Sequence, residues 1–233
     1  MAVSANPSLS EAFFERYLDK VDWQFFSANP SLSETFCEKH IDKVYWRWIS
    51  KNSFLSEAFF ERHIDKVDWR SLSYNFSLSE AFFERHIDKV DWDFLSANPS
   101  LSEAFFEKHI DKVDWWSLSE NPSLCEAFFE KHINRMFNPF IHNDTMIFFI
   151  EGRSLNWTFL SRNPSFSEAF FERHIDKVDW KSLSGNPSLS EDFFERHLDK
   201  VNWESLSKNM SSIKPWRKFF SFMQADSLFP LFR

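Results

Sequence analysis

The sequence predicts an all-α fold, an α-solenoid built from 23-residue repeats with two short helices in each repeat. The phrase SEAFFERHIDKVDW occupies residues 56–69 and 79–92, and it returns with Lys for Arg at residues 102–115. The 233 residues include only two Gly, Gly152 and Gly185, which is too few for a turn-rich β architecture. The phrase also lacks the period-two alternation of a strand and is rich in Ala, Glu, Arg and Lys. A β-solenoid is therefore the weaker alternative.

The repeats are counted from the Asn that opens each of them. Regular copies lie 23 residues apart, and their Asn residues are Asn6, Asn29, Asn52, Asn75, Asn98, Asn121, Asn163, Asn186 and Asn209. Between Asn121 and Asn163, residues 138–157 are interpreted as one more, diverged copy. Nine repeats, starting at Ser4 and followed by a degenerate tenth, predict an array over residues 1–209 with irregular sixth and seventh units. Residues 210–233 abandon the repeat and are predicted to form a C-terminal capping segment.

Positions within one repeat are numbered 1 to 23 along S-x-N-P-S-L-S-E-A-F-F-E-R-H-I-D-K-V-D-W-x-x-L. The first helix, helix A, is predicted to start at a capping box formed by Ser at position 5 and Glu at position 8, and to run to about position 16. Examples of the box are Ser8/Glu11, Ser100/Glu103 and Ser188/Glu191. Apolar residues at positions 6, 9, 10, 11, 15 and 18 give helix A a stripe wide enough to contact neighbours on more than one side.

The second helix, helix B, is predicted to begin after an Asp at position 19, which can cap it. The Trp at position 20 and the Leu at position 23 lie on one face of it. The capping residues are Asp22, Asp68, Asp91 and Asp179. The Asn at position 3 of the next repeat, followed by Pro, ends this helix.

Composition excludes several classes of function. The near absence of Gly argues against phosphate-binding loops and dinucleotide-binding fingerprints. A net charge of −8 disfavours non-specific binding to nucleic acid or an anionic membrane. No stretch has the length of a membrane span and the first residues lack the pattern of a signal peptide, so we expect an intracellular protein. Cys37 and Cys125 occupy positions filled by Phe and Ser in other copies and are expected to be free thiols.

The pattern LSxNPSLSEAFFERHIDKVDWxxLSxNP resembles short helical repeats that large DNA viruses of amoebae, Marseillevirus-like ones among them, encode in many copies. The resemblance covers the chain from Ser4 to about Asn209. It implies a helical repeat protein that mediates protein contacts, encoded by a virus and located in the cytoplasm of the infected host cell or in the particle. It assigns no catalytic or cofactor-binding residue.

Polar residues that recur in every repeat are expected to serve packing. A histidine at position 14 forms a series that Tyr17 opens and that continues with His40, His63, His86, His109, His132, His174 and His197. Consecutive members are predicted to lie a helix-packing distance apart, too far to share a metal ion. Glu at position 12 and Asp at position 16 form a solvated charged face that can pair with Arg and Lys within and between repeats. We therefore expect no enzyme activity, no metal site and no cofactor.

Variable positions are the informative ones. Position 21 and position 2 of the next repeat differ freely, are four residues apart, and share one face of helix B opposite its Trp and Leu. We call these residues the helix B column. Its expected partner-binding members are Arg47, Lys51, Arg70, Tyr74, Trp116, Glu120 and Lys181. Several are residue types enriched at protein interfaces, although unconstrained drift on a solvated face accounts for the variation equally well.

A second irregularity lies at residues 134–156. The residues equivalent to V-D-W-x-x-L are missing after Ile133, and the usually charged positions 12 and 13 become Phe149 and Ile150. This apolar pair is predicted to contact a partner or another part of the chain.

The sequence as a whole predicts a non-catalytic repeat scaffold that binds an unidentified protein. Two alternatives remain open: a structural component that assembles end to end, and a repeat protein that binds single-stranded nucleic acid with one residue pair per repeat.

Overall fold

The computed structural model describes Ser4, residues 6–136 and residues 155–209, and its regular elements over those residues are short helices arranged in pairs. The chain divides into two compact bodies, Met1–Ser123 and Leu124–Arg233. This confirms the predicted all-α class and the α-solenoid of two-helix repeats. No helix in the described ranges is long and apolar enough to span a membrane.

The helices of the first body, in chain order, are α1 (Glu11–Arg16), α2 (Trp23–Phe26), α3 (Glu34–Lys39), α4 (Trp46–Ile49), α5 (Glu57–Arg62), α6 (Trp69–Ser73), α7 (Glu80–Arg85), α8 (Trp92–Ser96), α9 (Glu103–Lys108) and α10 (Trp115–Glu120). A short 3-10 helix, Leu18–Lys20, follows α1. The second body contains α11 (Glu126–Met136), α12 (Trp157–Arg162), α13 (Glu168–Arg173), α14 (Trp180–Ser184), α15 (Glu191–Glu195) and α16 (Trp203–Asn209). Odd-numbered helices are the A helices and even-numbered helices are the B helices.

Helix A is shorter than predicted, and the predicted capping box is wrong. In α5 the N-cap is Ser56 at position 7, whose side chain accepts a hydrogen bond from the N–H of Phe59. The Ser at position 5 instead belongs to a turn, as at Ser100, which donates both its N–H and its hydroxyl to Oδ1 of Asn98. Helix α5 ends at Arg62, because His63 leaves the helical region with φ −120° and ψ 26°.

Helix B is capped largely as predicted. Asp68, Asp91 and Asp179 each accept hydrogen bonds from backbone N–H groups in the first turn of the following helix. Asp22 occupies the same position but makes no side-chain capping bond. The B helices are only four to seven residues long, so their stability depends on packing against the A helices rather than on helix propensity.

A ladder of buried Asn side chains joins consecutive repeats. In the first body, Nδ2 of Asn98 donates to the carbonyls of Ser73 and Asn75 in the preceding repeat, at 3.0 and 3.4 Å, while its Oδ1 accepts from Ser100. Asn98 is completely buried, and one side chain thereby satisfies several turn groups that would otherwise be costly to bury. The equivalent bonds recur at Asn29, Asn52, Asn75, Asn121 and Asn186.

The core of each repeat is aromatic. The Phe side chains at positions 10 and 11 of helix A pack edge to face within one helix, with ring centroids 5.6 Å apart for Phe59 and Phe60. Both rings are fully buried, as is Leu72 at position 23 of the same repeat. The apolar stripe predicted on helix A is therefore the core-forming face.

The second body contains a change of register. The carboxylate of Glu126 bonds to the backbone N–H and hydroxyl of Ser167. In regular repeats this bond joins residues 22 apart, as between Glu34 and Ser56, whereas here the separation is 41, an excess of 19. Because Glu126 bonds directly to Ser167, α11 and α13 are neighbours, and no other A helix of the described residues lies between them.

The repeat that begins with α11 takes its second helix, α12, from residues after the irregularity. Leu155 is buried at the position of the usual Val, and Asn156 caps α12 as the usual Asp does. The described part of the second body therefore stacks three A helices, and most of the diverged copy predicted at residues 138–157 lies outside the described residues. The extra 19 residues fall between helix A and helix B of a single repeat.

Candidate functional site

The carboxylates of helix A form a ladder between repeats. In the first body, Oε1 of Glu34 accepts from the N–H of Ser56 at 2.8 Å, and Glu38 accepts from Nε of Arg62 at 3.0 Å. Arg62 also lies 3.2 Å from Glu34, so one guanidinium bridges two carboxylates of the preceding repeat. The charged face predicted from sequence is thus paired between repeats.

Six histidines of the position 14 series each contact one carboxylate and two aromatic rings. They are His40, His63, His86, His109, His174 and His197. Nε2 of His63 lies 2.9 Å from Oε2 of Glu38. The His63 ring is 5.4 Å from the ring of Trp46 in the preceding repeat and 5.0 Å from Phe59 in its own helix. The histidine at this position therefore contacts both its own helix and the preceding repeat, in agreement with the packing role predicted for recurring polar residues.

These bonds change the acidity of the carboxylates. The hydrogen bond from Arg85 lowers the pKa of Glu61 below its ordinary value of 4.5, and the bond from His86 adds to this effect against the opposing effect of partial burial. The hydrogen bond from Lys108 lowers the pKa of Glu84 in the same way, with His109 as the second donor. Such carboxylates are held ionised as structural acceptors, which is the opposite of what a general acid needs.

Within the described ranges, no three His, Cys, Asp or Glu side chains lie close enough together to hold a metal ion. Cys37 is fully buried, and burial is the main cause that raises its thiol pKa to about 12. Cys125 is exposed. Neither thiol forms a disulfide in the structure.

The helix B column lies at the surface along both bodies. Arg47 and Lys51 are exposed on α4 and in the turn after it, and Arg70 and Tyr74 are exposed at the equivalent places of α6. The other predicted members are also exposed, and they are Trp116 and Glu120 on α10 and Lys181 on α14. Phe149 and Ile150 lie outside the described residues, and so does the predicted capping segment after Asn209.

Two basic members of the column in the first body, Lys51 and Arg70, lie against aromatic rings. Nζ of Lys51 is 5.6 Å from the ring centre of Trp48, and the guanidinium of Arg70 is 4.5 Å from the ring centre of Phe94 in the next repeat. Tyr74 also contacts Phe94, with ring centres 6.4 Å apart and nearly perpendicular planes. Arg47, Lys51 and Arg70 form no ion pair with any described residue.

Two exposed aromatic residues beside the column were missed by the sequence reasoning. Phe54 is 71% exposed and Phe76 is 60% exposed. Phe54 stands where the repeat has Ser, and Phe76 stands where it has Pro. Both departures from the N-P-S-L turn are visible in the sequence, and a large apolar residue in a polar turn is the signal that could have identified them.

Acidic members of the column lie one repeat further along. Asp93 on α8 is exposed, and desolvation is the main cause that raises its pKa, with repulsion from Asp114 and Asp91 next and attraction to Arg70 opposing them. Along the first body the column therefore changes from basic at α4 and α6 to acidic at Asp93 on α8 and Glu120 on α10.

Comparisons with known proteins give no assignment. No protein-family model matches the chain, and no similarity to a curated protein or to a solved structure was found.

Proposed function

We propose that the chain is a non-catalytic repeat scaffold that binds another protein through the helix B column. The observation that supports this most directly is the contrast between its two polar surfaces. Helix A residues such as Glu38, Arg62 and His63 bond to each other between repeats and keep the same identity along the array. The column is exposed, takes a different residue in each repeat, and has no common role in the fold.

Residue type supports binding over drift. The column and its surroundings hold Arg47, Arg70, Tyr74 and Trp116, which are residue types enriched at the centres of protein interfaces. Trp116 is 52% exposed and Tyr74 is 48% exposed. A rigid stack of short helices holds such side chains at fixed spacing, which lowers the entropy that binding costs.

The resemblance to repeat proteins of amoeba viruses supports a search for the partner among host or viral proteins of an infected cell. We propose this source as the place to look first.

The test is affinity purification of the tagged full chain from such cells, followed by mass spectrometry. Arg47→Glu/Arg70→Glu and Trp116→Ala are the column variants, and Lys66→Glu, on the helix A side, is the control for charge reversal. We expect all variants to keep the melting temperature of the parent, and the column variants to lose proteins that the parent and the control retain. Equal recovery by all four chains would contradict the proposal.

A further inference from the structure

We infer that one part of this surface takes an acidic segment of the partner protein. We call it the aromatic–basic patch, and it consists of Arg47, Lys51, Phe54, Arg70, Tyr74 and Phe76. Carboxylates of the segment pair with the basic residues, and its apolar side chains cover the exposed rings. The inference rests on the proposed function and adds the chemistry of the partner.

The patch residues belong to two neighbouring layers. Nδ2 of Asn75 donates to the carbonyl of Asn52 at 3.3 Å, so the turns that follow α4 and α6 lie side by side. Phe54 lies two residues after Asn52, and Tyr74 and Phe76 flank Asn75. The aromatic side chains therefore originate from adjacent turns.

Phe54 and Phe76 do not serve the fold. The N–H of Phe54 still donates to Oδ1 of Asn52 at 3.0 Å, so the turn persists, but the hydroxyl bond that Ser makes at this position is lost. Phe76 removes the Pro that restricts the turn in other repeats. Both rings stand largely in water, where a large apolar side chain costs free energy unless a partner covers it.

The three cations differ from the cations of helix A. Arg62 and Arg85 on the A helices contact carboxylates of the preceding repeat at 3.0 and 2.8 Å. Arg47, Lys51 and Arg70 form no ion pair with a described carboxylate, although Arg70 attracts the carboxylate of Asp93 in the next repeat. Their positive charge is available to a ligand.

Aromatic rings hold two of these cations in place. Arg70 lies over Phe94 and Lys51 over Trp48. A guanidinium stacked on a ring keeps the N–H groups at its edge free to bind a carboxylate in a bidentate manner. Stacking also restricts the side chain before the ligand arrives, which lowers the entropy lost on binding.

Charge outside the patch favours a short acidic peptide over a nucleic acid. Asp93 and Glu120 make the next layers acidic, and the whole chain carries a net charge of −8. A long polyanion running along the column would meet these carboxylates, whereas a segment with a few acidic residues ends before them.

The spacing of the layers sets the spacing of the acidic residues. Packed helices lie about 8 to 10 Å apart, and an extended peptide advances roughly 3.3 Å per residue. An extended segment crossing the layers therefore presents a carboxylate to each layer when every third residue is acidic.

The test uses a fluorescein-labelled peptide of two Glu-Leu-Ser triplets, one for each layer of the patch, measured by fluorescence anisotropy with the full chain at low salt. A peptide of the same composition with its two Glu adjacent at one end tests the spacing, and an oligouridylate of similar length tests the nucleic-acid alternative. The protein variants are Arg47→Glu/Arg70→Glu, Phe54→Ser and Phe76→Pro. The last two restore the common residues of the repeat. Lys66→Glu is the matched control, because it reverses charge at an exposed position on the helix A side of the same repeat as Arg70, outside the helix B column.

We expect the triplet peptide to bind, with affinity lowered about tenfold or more by Arg47→Glu/Arg70→Glu and by raised salt, and lowered by Phe54→Ser and Phe76→Pro at unchanged melting temperature. Lys66→Glu should bind as the parent does. Absence of binding, equal binding by the double variant, or equal binding of the clustered peptide would overturn the inference. Tighter binding of the oligouridylate with the same dependence on Arg47 and Arg70 would replace it by nucleic-acid recognition.

Failure here and failure of the proposed function have different signatures. If the column variants lose cellular partners while the triplet peptide does not bind, the surface binds protein of another chemistry. If the column variants retain every partner as well, the proposed function itself falls.

Discussion

Oε2 of Glu38 accepts a hydrogen bond from Nε2 of His63, one repeat later, at 2.9 Å. The same pair recurs between Glu61 and His86 at 3.0 Å. A motif that looks like catalytic or metal-binding chemistry in the sequence is therefore a contact that joins layers of the stack, and its energetic consequences can be measured.

The first prediction concerns pH. The pKa values of Glu15, Glu61 and Glu84 are lowered in the folded chain, mainly by hydrogen bonds from Lys39, Arg85 and Lys108. In the unfolded chain these carboxyls return to their ordinary pKa and bind protons more readily than in the folded chain. The stability they contribute is thus present above a pH of 4.5 and is lost as pH falls through the folded values. In a series measured from about pH 6 down to about pH 3, the melting temperature should fall progressively once the pH is below 4.5.

Glu61→Gln serves as the control for the pH prediction. It lacks one ionised acceptor, so its melting temperature at about pH 6 should be about 3 °C lower than that of the parent. The difference should shrink in acid, where the parent carboxyl is protonated. A constant difference across the range would show that the ladder does not carry the pH dependence.

The second prediction concerns the Asn ladder. Asn98→Ala removes bonds to two carbonyls of the preceding repeat and to Ser100, leaving buried groups without partners. The free energy of unfolding in urea, followed by circular dichroism, should fall by about 3 kcal/mol. Asn6→Ala is the matched control, because Asn6 is exposed at the same repeat position and should change the value by less than about 0.5 kcal/mol. If both variants lost a similar free energy of unfolding, the burial of Asn98 would not be the reason for its contribution to stability.

The third prediction concerns the register change in the second body. Replacing residues 134–154 by Asp-Lys removes 19 residues and restores the regular spacing between Ile133 and Leu155. Because α11 and α13 are already neighbours, this chain should fold, with a gain in the free energy of unfolding of about 1 to 2 kcal/mol from the smaller number of residues between Ile133 and Leu155. Thermal denaturation with circular dichroism measures it. If a full repeat belonged between these helices, the shortened chain would lose helicity and its cooperative transition.

The fourth prediction concerns the thiols. Cys37 is fully buried with a thiol pKa of about 12, whereas Cys125 is exposed. Because the thiolate is the reactive form, Ellman's reagent should label one thiol in the native chain and both in denaturant. Cys125→Ser should abolish native labelling, and rapid labelling of that variant would show that the repeat around Cys37 opens readily.

Periodicity determined much of this structure before any coordinates. A 23-residue repeat with helix-forming residues and a broad apolar stripe has few solutions other than stacked helix pairs, because each pair must bury its Phe residues against the next. The Asp caps at Asp68, Asp91 and Asp179 followed from local chemistry, as did the exposure of the column residues Arg47, Arg70 and Trp116.

Only the tertiary structure decided which partner each polar side chain takes. Ser8 and Glu11 have the spacing of a capping box, but Glu11 bonds to Ser33 of the next repeat. Only the tertiary structure likewise showed that α13 is the neighbour of α11. The number of residues between two helices does not tell whether they form another layer or belong to one layer. The physical reason is that local patterns fix which groups need a hydrogen bond, whereas the stacking of layers fixes which group lies near enough to provide it.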